Sequence, residues 1–190
     1  MSTEVTVASA DEIIAATQSW LEKAVIGLNL CPFAKAVHVH HRVRYSVSHA
    51  QSIAALREDL ARELDALHAA DPHTCETTLL IHPFVLTDFI EYNLFLPRAE
   101  ATASQLGYAA EFQIASFHPQ YQFSDAEPDA IENYTNRSPY PMLHLLRESS
   151  VAHAVAAFPD ASDIYEKNRE TLRRLGHAGW ACLWREDKSR

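Results

Sequence analysis

The run from Thr77 to Val85, TTLLIHPFV, is apolar almost without interruption. A strand that offers no polar face has to be covered on both sides, so this stretch commits the chain to a layered fold with a sheet inside and helices outside. Its flanks supply those helices. Upstream, Ile53, Leu56, Leu60, Leu64 and Leu67 recur at helical spacing, with Glu58 and Arg62 placed as an i,i+4 pair and Asp71-Pro72 as the stop. Downstream, Asp88 and Glu91 cap a second helix that carries Phe89, Tyr92 and Phe95 and ends at Gly107. Pro97 is expected to break or restart it.

The remaining elements follow the same logic. Ser9 with Glu12 forms a capping box for a first helix bearing Ile13, Thr17, Trp20, Leu21, Ala24 and Leu28, which closes near Gly27. Alternation from Val37 to Val47 reads as a half-buried strand with a basic open face, and Ala109 to Phe117 as a third strand. Pro141 is placed to begin a helix, with a break expected at Ser149-Ser150. A last helix carries Ile164, Asn168, Leu172 and Leu175 to Gly176. Helices alternating with strands in a chain of 190 residues predict a single α/β domain over 1–190. Its short mixed sheet of about three to five strands is covered by helices. Residues 1–8 and 186–190 are expected to be flexible ends.

Four glycines, at 27, 107, 176 and 179, leave no G-x-G-x-x-G dinucleotide turn, no phosphate-cradling loop and no G-x-S-x-G elbow. A net charge of −9 argues against nucleic acid as a partner, because phosphate neutralisation needs concentrated Lys and Arg. No apolar run approaches the roughly 18 residues of a spanning helix, and the first twenty residues carry Glu4, Asp11 and Glu12 where a leader would be basic and apolar. The expected setting is cytoplasmic, with no membrane partner. Cys31, Cys75 and Cys182 stand far apart, so neither a disulfide framework nor a cysteine zinc knuckle is indicated.

Candidate chemistry concentrates between Phe117 and Arg147. Two strands end alike, in Ile81-His82-Pro83 and Phe117-His118-Pro119. As parallel neighbours they would bring both imidazoles to the carboxyl edge of the sheet, where α/β proteins place their sites. His82 and His118 are therefore the acid and base candidates. The loop with Asn136, Arg137 and Ser138, leading into the helix expected at Pro141, is a candidate anion site, with the Arg137 fork on a phosphate or carboxylate. On that helix His144 and Arg147 share a face and extend the substrate-binding set. Cys31, Lys35, Tyr121 and Tyr140 are possible pocket-lining residues. No metal set is favoured; the alternative is a ligand set of His82, His118 and His144 with an open position for water. His38 and His40 fit H-x-H spacing, and Cys31-Pro32-Phe33 the start of a redox turn, but a solvated basic edge and a buried structural cysteine are the preferred readings of them.

The strings CPFAK, RYSVS, TLLIHP, FHPQYQF and TNRSPYPMLHLLRE together resemble an uncharacterised bacterial family of this length, known as a domain of unknown function, over Trp20 to Trp184. The resemblance carries no activity, cofactor or catalytic residue with it. From the residues themselves the expected function is that of an enzyme for a small anionic substrate, using His acid–base chemistry and an Arg clamp, with the cofactor undetermined. The alternatives are a metal-dependent hydrolase built on the same histidines and a noncatalytic module that binds a small-molecule metabolite.

Overall fold

The computed structural model describes residues 8–157 and 163–185. Among these, four short strands build one mixed sheet: β1 (Val43–Val47), β2 (Thr77–Ile81), β3 (Phe112–Phe117) and β4 (Met142–Arg147), in the order β1-β2-β4-β3. β1 and β2 run parallel, and β4 lies antiparallel to both β2 and β3. The expected α/β class and mixed sheet are therefore found, while β2 and β3 share a direction but are separated by β4.

Alternation along the strands gives the sheet two apolar faces. Leu79, Ile81 and Met142 pack against α1 (Ala10–Trp20) and the π-helical turn Leu21–Ile26 that continues it. Leu80, Leu143, Leu145 and Phe112 pack against α3 (Ile53–Ala69) and α4 (Phe89–Gln105) on the other side. The expected capping box at Ser9 and Glu12 is present. In α3 the residues Leu56, Leu60, Leu64 and Leu67 are fully buried, as their spacing requires. Arg62 pairs with Asp59 and not with Glu58.

Four readings of the sequence are corrected. Pro97 lies inside α4 without ending it. The carbonyl it deprives of a partner belongs to Asn93, on the exposed side of the helix, where water can replace the lost bond. Residues Ala34–Val39 form a short helix, α2, and the strand begins only at Val43 after His41 turns the chain at φ 55°. His38 and His40 are therefore not neighbours on one strand face. The segment after Pro141 is β4 and not a helix. The Pro141 carbonyl accepts the His82 N–H at 3.0 Å and draws the chain into the sheet, where cover on both faces gives MLHLLR an apolar run that resembles a helix. Ser149-Ser150 then falls within α5 (Glu148–Ala157).

The last helix, α6 (Ile164–Cys182), is interrupted at Gly176, whose φ of 65° is one glycine adopts without strain. Asn168 on α6 donates its Nδ2–H to the Leu30 carbonyl, and Leu172 packs with Leu30 and Ile131. Of the segments expected to be flexible, 1–7 and 186–190 lie outside the described residues, whereas Ala8 packs against the core. Among the described residues no helix is long and apolar enough to cross a membrane.

Candidate functional site

His82 and His118 extend β2 and β3 by one residue each, and both side chains fall on the face covered by α4. Tyr92 of α4 stands between them, with ring centroids 5.8 Å from His82 and 5.1 Å from His118. All three are fully buried. The sequence expectation that the two imidazoles share the carboxyl edge holds, with a tyrosine inserted between them instead of direct adjacency.

The segment between β2 and α4 closes over this group, and the imidazoles themselves hold it. His82 Nδ1–H donates to the Val85 carbonyl at 3.0 Å, and His118 Nε2–H donates to the Leu86 carbonyl at 3.2 Å. Two consecutive carbonyls cannot face the same pair of donors in extended backbone. Leu86 adopts a φ of 56° to present them, a left-handed conformation that costs a leucine about 1–2 kcal/mol. Because a carbonyl can only accept, these bonds fix both tautomers. His118 is then fully engaged, since its Nδ1 accepts the Gln120 N–H at 3.0 Å. His82 is not: its Nε2 carries a lone pair, is buried, and has no partner.

Burial sets the protonation of this group. Desolvation pushes His82 down to about 4, with the nearby His118 adding to the shift, and it lowers His118 as well against the opposing pull of the Leu86 carbonyl. Both are neutral imidazoles at pH 7. Phe89, with its ring 5.5 Å from His118, and Tyr121, 5.3 Å from Phe89, complete the aromatic wall on the His118 side.

The polar loop from Asn133 to Ser138 reaches this edge but is largely engaged with its own backbone. Asn136 donates Nδ2–H to the Ser116 carbonyl at 3.0 Å and accepts the His118 N–H, so it continues the pairing of β3. Arg137 lies over the Tyr134 ring and donates Nε–H to the Tyr121 carbonyl at 3.0 Å and Nη2–H to the Pro128 carbonyl at 2.7 Å. The fork expected to grip an anion is thus occupied by main chain. Ser138 donates its hydroxyl to the Tyr140 carbonyl. Asn133 ties the loop together through Glu127, Pro128 and the Phe123 N–H.

Other predicted residues fall elsewhere. His144 lies on β4 opposite Leu79, on the α1 face, and donates Nε2–H to Thr77 Oγ1 at 2.7 Å. The sheet separates it from His82 and His118, so these three cannot share a metal, and no cluster of three potential ligands occurs among the described residues. Burial alone pushes His144 down to about 4. Arg147, at the far end of β4, caps α3: its Nη2 donates to the carbonyls of Leu67, Ala70 and Cys75. Cys31 and Tyr140 pack on the α1 side, burial pushes the Cys31 thiol up, and Lys35 is exposed.

An open cavity of about 360 Å³ lies between the carboxyl end of β1 and α3, with Ser46, Ser48, His49, Asp59, Arg62 and Glu63 around a floor formed by Leu80. Ser48 donates to Asp59 at 2.5 Å and Ser46 to Glu63 at 2.9 Å. The Ser48 N–H bonds the Ile81 carbonyl, which sets Ser48 beside His82 in the β1–β2 pairing. His49 stacks on Phe84 of the segment that covers the histidines. Sequence reasoning missed this cavity, although its signal is visible: serines two apart, on a strand and just past its end, meet carboxylates four apart on a helix.

Nothing matches the chain among curated proteins or solved structures. A family model described as protein of unknown function (DUF1415) matches residues 12–182. The chain that carries this buried histidine pair belongs to that family.

Proposed function

We propose that the protein is a cytoplasmic enzyme acting on a small anionic molecule at the carboxyl edge of its sheet, with His82 as the residue that accepts and returns a proton. The supporting observation is the His82 ring itself: Nδ1–H is tied to the Val85 carbonyl while Nε2 is buried and bare. Buried nitrogens are nearly always paired, so an unpaired one held in a single tautomer is a reason to look for chemistry. With its value lowered to about 4, the imidazole is a free base at pH 7 and readily releases a proton it has taken. His118, with both nitrogens engaged, serves as a positioning residue. The cavity beside Ser48 has the size that small ligands fill, and Arg62, paired with Asp59, stands among its lining residues. Arg137 adds positive potential from the loop without a free fork.

A metabolite screen by thermal shift, followed by turnover assays on each hit, tests the reading. His82→Asn keeps a donor near the position of Nδ1 and deletes Nε2. It should lower turnover by at least about a hundredfold while the fold survives. Unchanged turnover in that variant overturns the assignment. A ligand that binds tightly and is never transformed points to a noncatalytic binding module.

A further inference from the structure

Helix α4 buries Tyr92, Phe95, Ala99, Thr102 and Ala103 against the sheet and α3. Its opposite side is unexpectedly apolar. Ile90 and Leu94 are 69% and 70% exposed, and Pro97 and Ala101 are exposed on the same line. At 3.6 residues per turn these four positions fall within a stripe about 60° wide. Glu91 and Arg98, both exposed, stand together along one border of the stripe. Neither forms an ion pair with a described residue.

We infer that this stripe is the contact surface of a two-fold dimer, in which α4 packs antiparallel on the α4 of a second copy. The charges select that partner and that orientation. A two-fold axis standing across the helix between Leu94 and Phe95 keeps the charged border of both copies on the same side and reverses their direction. Glu91 of each copy then faces Arg98 of the other, giving two identical pairs, and Leu94 meets its own counterpart near the axis. Ile90 of each copy lies over the gap between Pro97 and Ala101, where the side chains are small enough for close approach. A parallel two-fold would put the charged borders of the two copies on opposite sides of the seam, where Glu91 and Arg98 meet no opposite charge, so the same residues favour the antiparallel arrangement. A cleft of about 660 Å³ between α4 and β3, lined by Pro97, Ala101, Phe112 and Ile114 among others, adjoins the stripe and leaves room for side chains of the second copy. One helix pair gives an interface at the small end of the specific range, so the dimer forms with concentration.

Sedimentation velocity on the full chain, from about 1 to about 500 µM, tests this. The wild type should pass from monomer to dimer within that range, and Leu94→Glu should stay monomeric. Glu91→Arg and Arg98→Glu should each weaken self-association at least tenfold, because the first presents two arginines across the axis and the second two glutamates. An equimolar mixture of these two variants should recover wild-type association, since each then meets the opposite charge at both contacts. All substituted positions are exposed, and circular dichroism confirms that each variant is folded. A wild type that remains monomeric throughout overturns the dimer and leaves the stripe to another partner. Dimers indifferent to Leu94→Glu, or a variant mixture that fails to associate when the wild type does, also overturn it.

Discussion

The phenolic oxygen of Tyr92 sits inside the sheet: it donates to the Met142 carbonyl at 2.8 Å and accepts the Phe117 N–H at 3.1 Å. Phe117 and Met142 are themselves partners in the β3–β4 register, so a side chain from α4 completes a rung of the ladder. Tyr92→Phe keeps the ring that separates His82 from His118 but leaves a buried N–H and a buried carbonyl unpaired. It should cost about 1–3 kcal/mol, read as a lower urea midpoint. A midpoint equal to wild type would show that the strands close the gap on their own.

Stability should fall on mild acidification. His82 and His144 are held at about 4 by burial, below the ordinary 6.5, and His118 is lowered as well. The native state therefore binds fewer protons than the unfolded chain between these values. The stabilising contribution is complete above about 6.5 and is lost as pH falls toward 4. Two such groups give a slope of up to about 2.7 kcal/mol per pH unit. Urea melts between pH 7 and pH 5 measure it, and His144→Gln should remove about half. A flat profile would contradict the buried neutral state of both rings.

Arg147 should prove to be a stability residue. Its guanidinium holds the Leu67 and Ala70 carbonyls where α3 ends and the Cys75 carbonyl just before β2, against the Phe112 ring at 5.7 Å. Arg147→Met, which keeps the apolar stem, should lose about 3 kcal/mol by stranding those carbonyls. Arg147→Lys should recover part of that, because an ammonium lacks the planar fork. Thermal melts separate the two variants, and a methionine variant as stable as wild type would remove the capping role.

His41 is exposed at a φ of 55°. His41→Gly should raise stability by about 0.5–1 kcal/mol, since glycine takes this conformation without the Cβ clash, partly offset by its greater freedom when unfolded. A loss of stability would mean that the imidazole makes a contact worth more than the strain.

What could be read in the sequence depended on where each segment lies. In α3 one side faces solvent, so its leucines are spaced by polar residues and the helical period is plain. β4 has cover on both faces and strands on both sides, and with only His144 among its apolar residues its two-residue period vanishes into a run that Pro141 makes resemble a helix start. That single misreading moved Arg147 from the end of α3 to an imagined binding face and His144 to the wrong side of the sheet. His82 and His118 were legible because two strands end in the same His-Pro pair. Their partners were not. Nothing in the letters of Leu86 announces a left-handed backbone, and the bonds to Val85 and Leu86 depend on it. The polar density around Asn133 and Arg137 was equally visible, but whether such groups face a ligand or their own main chain depends on the path of the loop.

The position of β4 also bears on how the protein is made. β1 and β2 can pair, with α3 across them, as soon as residue 81 has left the ribosome. β3 emerges next with no neighbour to bond, because the strand that must lie between it and β2 is synthesised last of the four. Until residues 142–147 arrive, the edges of β2 and β3 that they will cover stay open, and Tyr92 has no Met142 carbonyl to meet. A nascent chain exposed only as far as about residue 140 would thus hold a two-stranded half-sheet beside an unpaired strand, the kind of intermediate that chaperones engage. Release beyond residue 147 would let the sheet and its histidine pair form together.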